Sequence, residues 1–302
     1  MSASSISVSP PRAALLSRAA DFLELTKPRI AVLELVVVLA AGFVATHGQP
    51  DPGLLLAAML GTALVAASAS AANQWLERRS DALMARTASR PLAAGRMTGS
   101  EALAFAAFTL AAGILQLSLF VNLACAGWAL GTWAMYVLAY TPLKTRSVLN
   151  TAVGAVAGAM PVLIGWSASG ASLDLRAAAL FLVLFLWQFP HFMAIAWLYR
   201  EDYAAAGQQM MTVVDPSGRR AGRQAVLNAM VLIPVSLVPV LAAPGLGSLL
   251  YAAGALTLGI AQLIFAIHFS RNPGDGPARR LLKASLVYLP TLLVMLMLSP
   301  LI

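Results

Sequence analysis

The feature that most constrains the fold is a series of long apolar stretches. A helix needs about 20 consecutive apolar residues to cross the hydrocarbon core of a bilayer. Nine such stretches cover residues 30–46, 54–76, 102–120, 123–140, 149–167, 177–199, 225–243, 246–269 and 281–299. With 60% hydrophobic and 11% charged residues, the composition excludes a soluble domain. The sequence therefore predicts an all-α, polytopic membrane protein with nine transmembrane helices.

The positive charges predict the orientation of this bundle. If the N-terminus is cytoplasmic, the segments left on that side are 1–29, 77–101, 141–148, 200–224 and 270–283. These segments hold 19 of the 20 lysines and arginines, and only Arg176 lies on the far side. Because positive residues concentrate in cytoplasmic loops, a cytoplasmic N-terminus and an odd number of helices are expected. The net charge of +8 is then a topology signal and does not indicate nucleic-acid binding.

No linker or change in composition divides the chain, so residues 1–302 are expected to form a single transmembrane domain. Residues 1–21 lack the apolar core and cleavage site of a secretory signal, and we expect a disordered cytoplasmic tail. A transit peptide is the alternative, since no acidic residue precedes Asp21. The short N-terminus and the alanine-rich helices favour a bacterial inner membrane over a mitochondrial one. Cys125, the only cysteine, is expected to pack inside an apolar stretch.

An acidic segment at the end of the second stretch is the strongest indication of chemistry. Asn73, Glu77 and Asp81 are spaced four residues apart, which places them on one face of a helix at the membrane boundary. Paired carboxylates bind hard cations such as Mg²⁺, which also recruits phosphate oxygens. Arg86 and Arg90 follow at once, and guanidinium groups bind phosphate in a planar, bidentate way. The pattern predicts a diphosphate site. The bland alternative is a solvated helix end, with the acids paired to neighbouring arginines.

Two further clusters carry polar groups. His191 and Asp202 are eleven residues apart, so they share a face if the helix is continuous, with about 16 Å of rise between them. A buried imidazole is either a metal or haem ligand or a hydrogen-bond partner of a neighbouring helix. Lys144 and Arg146 follow the fourth stretch and either bind phosphate or anchor the helix end. Glycines at 154, 158 and 165 are spaced for close helix packing.

Four segments together resemble the UbiA superfamily of intramembrane prenyltransferases. Residues 73–92 match its first acidic motif, with an asparagine and two acids at four-residue spacing and then an Arg-Thr-x-x-Arg-Pro sequence. Within the superfamily, residues 23–29, 140–166 and 188–211 resemble the branch of protohaem IX farnesyltransferases. The resemblance covers nearly the whole chain.

The resemblance implies transfer of a farnesyl group from farnesyl diphosphate to a vinyl group of haem B, giving haem O, with Mg²⁺ as cofactor. It implies a helical bundle around a central cavity open to the cytoplasmic side, with the lipid bilayer and the two substrates as partners. The resemblance also implies haem A synthase or oxidase assembly proteins as further partners. It implies no binding of nucleic acid. The implied catalytic residues are Asn73, Glu77, Asp81 and Asp202; the metal ligands are these four and Glu201; the diphosphate contacts are Arg86, Arg90, Lys144 and Arg146; the haem-binding residue is His191.

Some points remain open from the sequence. Glu201 and Asp202 are adjacent, whereas many superfamily members space the acids of the second motif four apart, which leaves a second metal in doubt. A prenyltransferase acting on an aromatic quinone precursor such as 4-hydroxybenzoate would share the metal chemistry. A secondary transporter would also have many helices and buried charges, although its charges concentrate near the midplane. Here they cluster at one surface, which argues against transport.

Overall fold

The structure, a computed structural model, describes residues 11–242 and 245–299. These residues form helices and no strand. The helices are α1 Pro11–Leu25, α2 Pro28–Ala45, α3 Pro52–Asp81, α4 Gly99–Phe120, α5 Leu123–Ala134, α6 Asn150–Ala159, α7 Pro161–Ala168, α8 Leu175–Leu198, α9 Arg200–Ala205, α10 Met211–Val214, α11 Arg219–Leu237, α12 Leu246–Arg271 and α13 Asp275–Leu298. A π-helix, Met135–Tyr140, and a short helical turn, Thr141–Leu143, extend α5, while a 3₁₀ helix, Val238–Ala242, extends α11.

The predicted number of membrane-spanning helices is confirmed. Within the described residues, nine helices are long and apolar enough to cross a bilayer, counting α5 with its extension and α6 together with α7. Their bounds agree with the nine predicted stretches to within a few residues at most ends. The larger differences are at three ends: α3 continues through the acidic segment to Asp81, and α11 and α13 begin at Arg219 and Asp275, six residues before the predicted stretches. Residue 243, the predicted end of the seventh stretch, lies outside the described residues.

Side-chain caps set the beginnings of four membrane helices. The Asp51 carboxylate accepts hydrogen bonds from the backbone N–H groups of Gly53 and Leu54 at the start of α3. Thr98 begins α4 with a reciprocal capping box, and Asn122 and Asp174 cap α5 and α8. Each cap satisfies N–H groups that a helix end leaves unpaired, and is worth about 1 kcal/mol. The Asn122 cap confirms the predicted division between the third and fourth helices.

The expectation of a disordered tail over residues 1–21 is corrected for residues 11–21, which belong to α1. This helix is anchored by charge: Arg18 pairs with Glu101, and Arg96 donates to Asp21 at 2.8 Å. The Phe22 ring also packs against Phe105, with 5.4 Å between ring centroids. These partners are distant in sequence, so the local composition of the N-terminus did not indicate them. Residues 1–10 lie outside the described residues.

The membrane helices form a bundle in which chain neighbours pack side by side and α13 closes the arrangement. Helix α3 packs on α4, α11 packs on both α8 and α12, and α13 packs on α8, α12 and α2. The α6–α7 segment and α8 are the most buried of the nine spans. A cluster of buried apolar residues, which includes the fully buried Trp166, joins α2, α7, α8 and α13. The bundle therefore has an inner layer of helices around which the others face the lipid.

Glycine allows the closest helix contact of the inner layer. A Cβ atom added to Gly165 in α7 would overlap the backbone of Val38 in α2. The predicted packing role is thus confirmed for Gly165, and a Cβ at Gly158 or Gly154 would overlap the Gln188 or Tyr140 side chain. Backbone cannot move aside as a flexible side chain can, so Gly165 is the least tolerant of the three positions.

We predict that Gly165→Ala destabilises the protein by about 1–3 kcal/mol, because the added methyl group forces α2 and α7 apart. The control is Gly127→Ala in α5, where an added Cβ would meet nothing within 4 Å. That change should be neutral or stabilising by up to ~1 kcal/mol through helix propensity. Thermal unfolding of the detergent-solubilised protein measures both. Equal melting temperatures for the two variants would contradict the close packing of α2 on α7.

Candidate active site

The last two turns of α3 present three buried polar side chains. Asn73, Glu77 and Asp81 are 0%, 7% and 1% exposed. Their four-residue spacing puts them on one helical face, as predicted, and each contacts a different part of the chain. Burial of two carboxylates at a membrane boundary costs free energy unless each has a partner of opposite charge. The following contacts supply those partners.

Asn73 connects α3 to the segment before α2. Its Oδ1 accepts a hydrogen bond from Lys27 Nζ at 2.5 Å, and its Nδ2 donates to Thr141 Oγ1 at 3.0 Å. Burial, together with the positive charge of nearby Arg90, lowers the pKa of Lys27 to about 7. Lys27 also has a backbone φ of 51°, in the left-handed region that non-glycine residues rarely adopt. Such strain is concentrated at functional sites, where the surrounding structure holds it in place.

Glu77 forms a buried ion pair with Lys144. Oε1 of Glu77 is 2.7 Å from Lys144 Nζ, and both side chains are largely buried. Burial alone would lower the pKa of Lys144, but Glu77 and the neighbouring Tyr140 and Tyr136 outweigh it, so that the pKa lies above its usual value. The ammonium group also lies over the Tyr140 ring, 4.7 Å from the centroid. Lys144 is therefore held as a cation against the acidic face.

Asp81 pairs through one carboxylate oxygen only. Its Oδ2 is 2.8 Å from Arg90 Nη1, while Oδ1 is buried and has no hydrogen-bond partner among the described residues. The backbone around it is fixed by Thr87, whose hydroxyl donates to the Asp81 carbonyl oxygen at 2.9 Å. A buried carboxylate oxygen without a donor carries a free-energy cost that a bound cation would remove.

Of the two acids after α8, the structure brings Asp202 towards the α3 segment. Asp202 Oδ2 is 3.9 Å from Arg86 Nε. The Arg86 guanidinium also lies over the rings of Tyr199 and Tyr203, at 5.1 and 4.8 Å from their centroids. The Glu201 side chain is 91% exposed and pairs with Arg200 at 3.7 Å. Adjacent residues of a helix point about 100° apart, so the two acids face different surroundings.

Two of the predictions differ from the rest: the position of Arg146, and the helix face shared by His191 and Asp202. Arg146 is exposed, two residues beyond the buried Lys144. The face shared by His191 and Asp202 required a continuous helix, but α8 ends at Leu198, and Tyr199 (φ −114°, ψ 23°) separates it from α9. His191 and Asp202 therefore lie on two helices, and the spacing argument that linked them is wrong.

His191 lies in α8 between an aromatic ring and a hydroxyl group. Its ring stacks on Trp187, with 4.9 Å between centroids, and its Nδ1 is 2.9 Å from Ser285 Oγ on α13. The single Ser285 hydroxyl proton is donated to the Leu282 carbonyl oxygen at 2.7 Å. With the hydroxyl proton directed to Leu282, Ser285 accepts a hydrogen bond from Nδ1–H, which is the tautomer with the lone pair on Nε2. A neutral imidazole with a free Nε2 is a competent iron ligand.

The polar side chains at the end of α3 are the candidate ligands for a metal ion. Among the described residues, no group of three or more His, Cys, Asp or Glu side chains is close enough to hold a metal ion. The amide oxygen of Asn73 and the carboxylates of Glu77 and Asp81 are nevertheless the oxygen donors that Mg²⁺ takes, and Asp81 Oδ1 has no other partner. The residues thus fit a divalent cation that keeps some of its water and substrate ligands.

The sequence interpretation missed three residues that the structure adds to this region. Lys27 and Thr141 hold Asn73, and Glu34 lies in α2, near enough to Lys27 and Tyr136 to interact with them electrostatically. Glu34 had a signal in the sequence, because a single carboxylate within an apolar stretch is expensive and warrants a functional explanation. Thr141 had none, since hydroxyl groups are common at helix ends.

A family model described as the UbiA prenyltransferase family matches residues 35–289. A protein named protoheme IX farnesyltransferase from Solibacter usitatus is 43% identical over 291 residues, covering 92% of this chain and 98% of the relative. A protein of the same name from Rhodopirellula baltica is 44% identical over 284 residues, covering 91% of this chain and 98% of the relative.

Two solved structures share the fold. A structure described as digeranylgeranylglyceryl phosphate synthase superimposes with a TM-score of 0.78 at 17% identity, covering 94% of this chain and 99% of that one. A UbiA homolog from Archaeoglobus fulgidus, bound to GPP and Mg²⁺, gives a TM-score of 0.70 at 16% identity, covering 93% and 100%. At these identities the likeness establishes the fold of the helical bundle.

We predict that Lys144→Met lowers the unfolding free energy by about 3–5 kcal/mol in metal-free buffer, because it leaves the Glu77 carboxylate buried without its partner. The double variant Glu77→Gln/Lys144→Met should recover most of this loss, since neither charge remains. Arg146→Met removes a nearby exposed cation and should have little effect. Thermal unfolding in detergent with a chelator measures all three. A double variant as unstable as Lys144→Met would contradict the ion-pair assignment.

Proposed function

The chain belongs to the UbiA prenyltransferase family, and on that premise we propose that it transfers the farnesyl group of farnesyl diphosphate to a vinyl group of haem B, giving haem O. The observation that carries this proposal is the 43–44% identity to proteins named protoheme IX farnesyltransferase, over more than nine tenths of this chain. The acidic and basic side chains at the end of α3 provide chemistry that a diphosphate leaving group requires.

In the proposed reaction, the bond between the first carbon of the farnesyl group and the diphosphate oxygen breaks, and the diphosphate leaves with the electron pair. The π electrons of the vinyl group form a bond to the allylic carbon, which leaves a cation on the vinyl carbon next to the porphyrin. Water adds to that carbon and loses a proton, which gives the hydroxyethylfarnesyl side chain of haem O. The enzyme must therefore stabilise the diphosphate and protect the cation from early capture by water.

Asn73, Glu77, Asp81 and Asp202 are the residues we propose to hold Mg²⁺. The unpartnered Oδ1 of Asp81 and the amide oxygen of Asn73 support this assignment. When bound, Mg²⁺ supplies positive charge that stabilises the departing diphosphate. Glu201 belongs to the proposed set through its match to the second acidic motif, although its side chain is largely exposed.

The cations of the site are the residues we propose to bind the diphosphate. Three carboxylates each form a salt bridge with a cation. Glu77 pairs with Lys144, Asp81 with Arg90, and Asp202 with Arg86. If the carboxylates turn to a metal ion, these three cations are left without partners and are free to bind phosphate oxygens. The ion pairs would thereby keep the empty site electrically balanced and hold its cations close to the position of the leaving group. Arg146 would add a further contact from the surface.

His191 is the residue we propose to bind haem B, with Nε2 as the iron ligand. The support is the hydrogen bond of Nδ1 to Ser285, which directs the lone pair to Nε2 and fixes the ring. A second hydrogen bond from the other ring nitrogen is the usual way in which proteins orient a ligating histidine. The stacked Trp187 ring adds an apolar surface against which a porphyrin can pack.

The proposed setting is a bacterial inner membrane with the N-terminus in the cytoplasm. Charge asymmetry supports the orientation, since 19 of the 20 lysines and arginines would lie on the cytoplasmic side. A central cavity open to that side would hold the farnesyl chain and the porphyrin below the polar groups. Haem A synthase or an oxidase assembly protein would accept the product, because haem O is too apolar to diffuse freely through water.

We predict that the purified protein, in lipid with haem B, farnesyl diphosphate and Mg²⁺, forms haem O, and that Asp81→Asn lowers the rate by about 10²–10³-fold or more. The substitution removes charge without changing size. Asp51→Asn is the control, because it changes the same residue type at the other end of α3 and asparagine caps equally well. Mass spectrometry of the extracted haem measures the product, and chelation of Mg²⁺ should abolish it.

Two outcomes of that assay would contradict parts of the proposal. Turnover of Asp81→Asn at the rate of the Asp51→Asn control would exclude Asp81 from the metal and diphosphate site. If folded protein leaves haem B unmodified but prenylates an aromatic acceptor such as 4-hydroxybenzoate, then the acceptor assignment is wrong while the diphosphate chemistry stands.

We predict that His191→Ala weakens haem B binding by at least about tenfold, or ~1.4 kcal/mol, while farnesyl diphosphate binding changes by about twofold or less. Ser285→Ala should give a smaller loss, because it frees the imidazole ring without removing it. Absorbance titration measures haem binding, and calorimetry measures farnesyl diphosphate binding. Equal loss of both ligands in His191→Ala would assign His191 a structural role.

A further inference from the structure

The side-chain amide of Gln262, in α12, lacks hydrogen-bond partners among the described residues. Its side chain is buried, at 1% exposure, yet neither Nε2 nor Oε1 has a partner among the described residues. Gln74 and Gln116, by contrast, each donate from Nε2 to a backbone carbonyl oxygen. An amide without partners in a membrane interior costs several kcal/mol by transfer from water (~2–7). A ligand that hydrogen-bonds to Gln262 would remove this cost.

Gln262 is one of the residues that line a groove between α12 and α13. The groove has a volume of about 390 Å³ and is lined by apolar side chains that include Leu258, Phe265 and Val287. Arg280 and Lys283 line it as well. They are three residues apart on α13, so both project on the same side of that helix. Arg280 Nη2 lies 2.9 Å from His268 Nε2, and within the described part of the chain no salt bridge joins Arg280 or Lys283 to a carboxylate. The groove thus combines apolar walls, two cations that lack a carboxylate partner and an amide that lacks a hydrogen-bond partner among the described residues.

The groove faces the lipid rather than the interior of the bundle. Ile260 and Ile264 of α12 are 45% and 58% exposed, and Leu286 and Val287 of α13 are 53% and 58% exposed. In a membrane protein such side chains contact acyl chains. The occupant must therefore be able to reach the groove from the bilayer.

The basic end of the groove lies at the same membrane surface as the acidic site. Asp275, at the start of α13, accepts hydrogen bonds from Trp197 Nε1 and Arg200 Nη1, both at 3.1 Å. Arg200 begins α9, the helix that also carries Asp202. Arg280 is about 8 Å along α13 from Asp275, Lys283 is about 12 Å along, and Gln262 is about 13 Å from the facing end of α12. The two cations and the amide thus lie within three helical turns of the helix ends on the side of the acidic site.

We propose that this groove binds an anionic glycerophospholipid of that leaflet. Its phosphate contacts Arg280 and Lys283, an ester carbonyl accepts a hydrogen bond from Gln262 Nε2, and an acyl chain packs against Leu258, Phe265 and Val287. Cation pairs at a membrane interface favour anionic over zwitterionic lipids. The assignment is independent of the prenyl transfer proposed above, because none of these residues belongs to the acidic site.

The test uses full-length, delipidated protein in detergent, titrated with dioleoyl phosphatidylglycerol or dioleoyl phosphatidylcholine. Native mass spectrometry counts the bound lipids, and thermal unfolding reports their effect. We expect one phosphatidylglycerol to bind at least about tenfold more tightly than phosphatidylcholine, and Arg280→Gln and Lys283→Gln each to weaken it by about tenfold. Arg279→Gln is the matched control, since Arg279 is exposed and does not line the groove.

Gln262→Leu separates a ligand contact from a purely structural role. It should weaken phosphatidylglycerol binding and raise the melting temperature of the lipid-free protein, because it replaces a buried, unpartnered amide with an apolar side chain. A lower melting temperature together with unchanged lipid binding would overturn the assignment.

A competition experiment distinguishes a lipid phosphate from other phosphate ligands of the groove. Displacement of phosphatidylglycerol by inorganic phosphate at millimolar concentration, or by farnesyl diphosphate, would show that the groove takes a phosphate group of another kind and would overturn the lipid proposal. Equal binding of phosphatidylcholine, or unchanged binding in Arg280→Gln and Lys283→Gln, would overturn it as well. Failure of haem O formation would leave these results unaffected, so the two proposals fail separately.

Discussion

The cost of burying charge at a membrane boundary is the constraint on which the site depends. Glu77 and Asp81 are almost fully buried, and each is neutralised by a cation from outside α3. Such pairs contribute little net stability, since desolvation offsets the attraction, but breaking one leaves an uncompensated charge. The pairs therefore hold the loop after α3 and the end of the α5 extension against the acidic face. The same contacts that make burial tolerable hold the cations beside the acidic face, where we propose that the diphosphate binds.

The inner helices supply the rigidity that this arrangement needs. Gly165 allows α7 to lie directly on the backbone of α2, and Lys27 precedes α2 in a strained left-handed conformation. Because α2 is held by this contact, Lys27 is directed towards Asn73 rather than towards solvent. On the other side, Ser285 of α13 fixes the ring of His191 on α8. Both proposed binding regions are thus oriented by contacts from a neighbouring segment.

The fold was largely predictable from the sequence, because bilayer thickness imposes one length on every span and the charge pattern separates the loops. The polar face of α3 was predictable for the same local reason, since the spacing of Asn73, Glu77 and Asp81 matches the helical repeat. Partner choice was not predictable: Lys27, Thr141 and Lys144 are 46, 68 and 67 positions away from their α3 partners. The break at Tyr199 and the docking of α1 through Arg18 and Phe22 also depend on contacts with distant segments.

Two of the buried polar groups that lack hydrogen-bond partners within the described part of the chain lie where we propose that ligands bind. In the hydrocarbon region water cannot satisfy a polar atom, so each such atom must find a partner in the chain or in a bound molecule. Asp81 Oδ1 and the Gln262 amide have none among the described residues, and their surroundings differ in charge and polarity. The carboxylate oxygen lies among oxygen donors and suits a hard cation, whereas the amide faces apolar walls and two cations and suits an amphipathic anion. The chemistry around an unsatisfied atom, more than its burial, thus distinguishes one class of ligand from another.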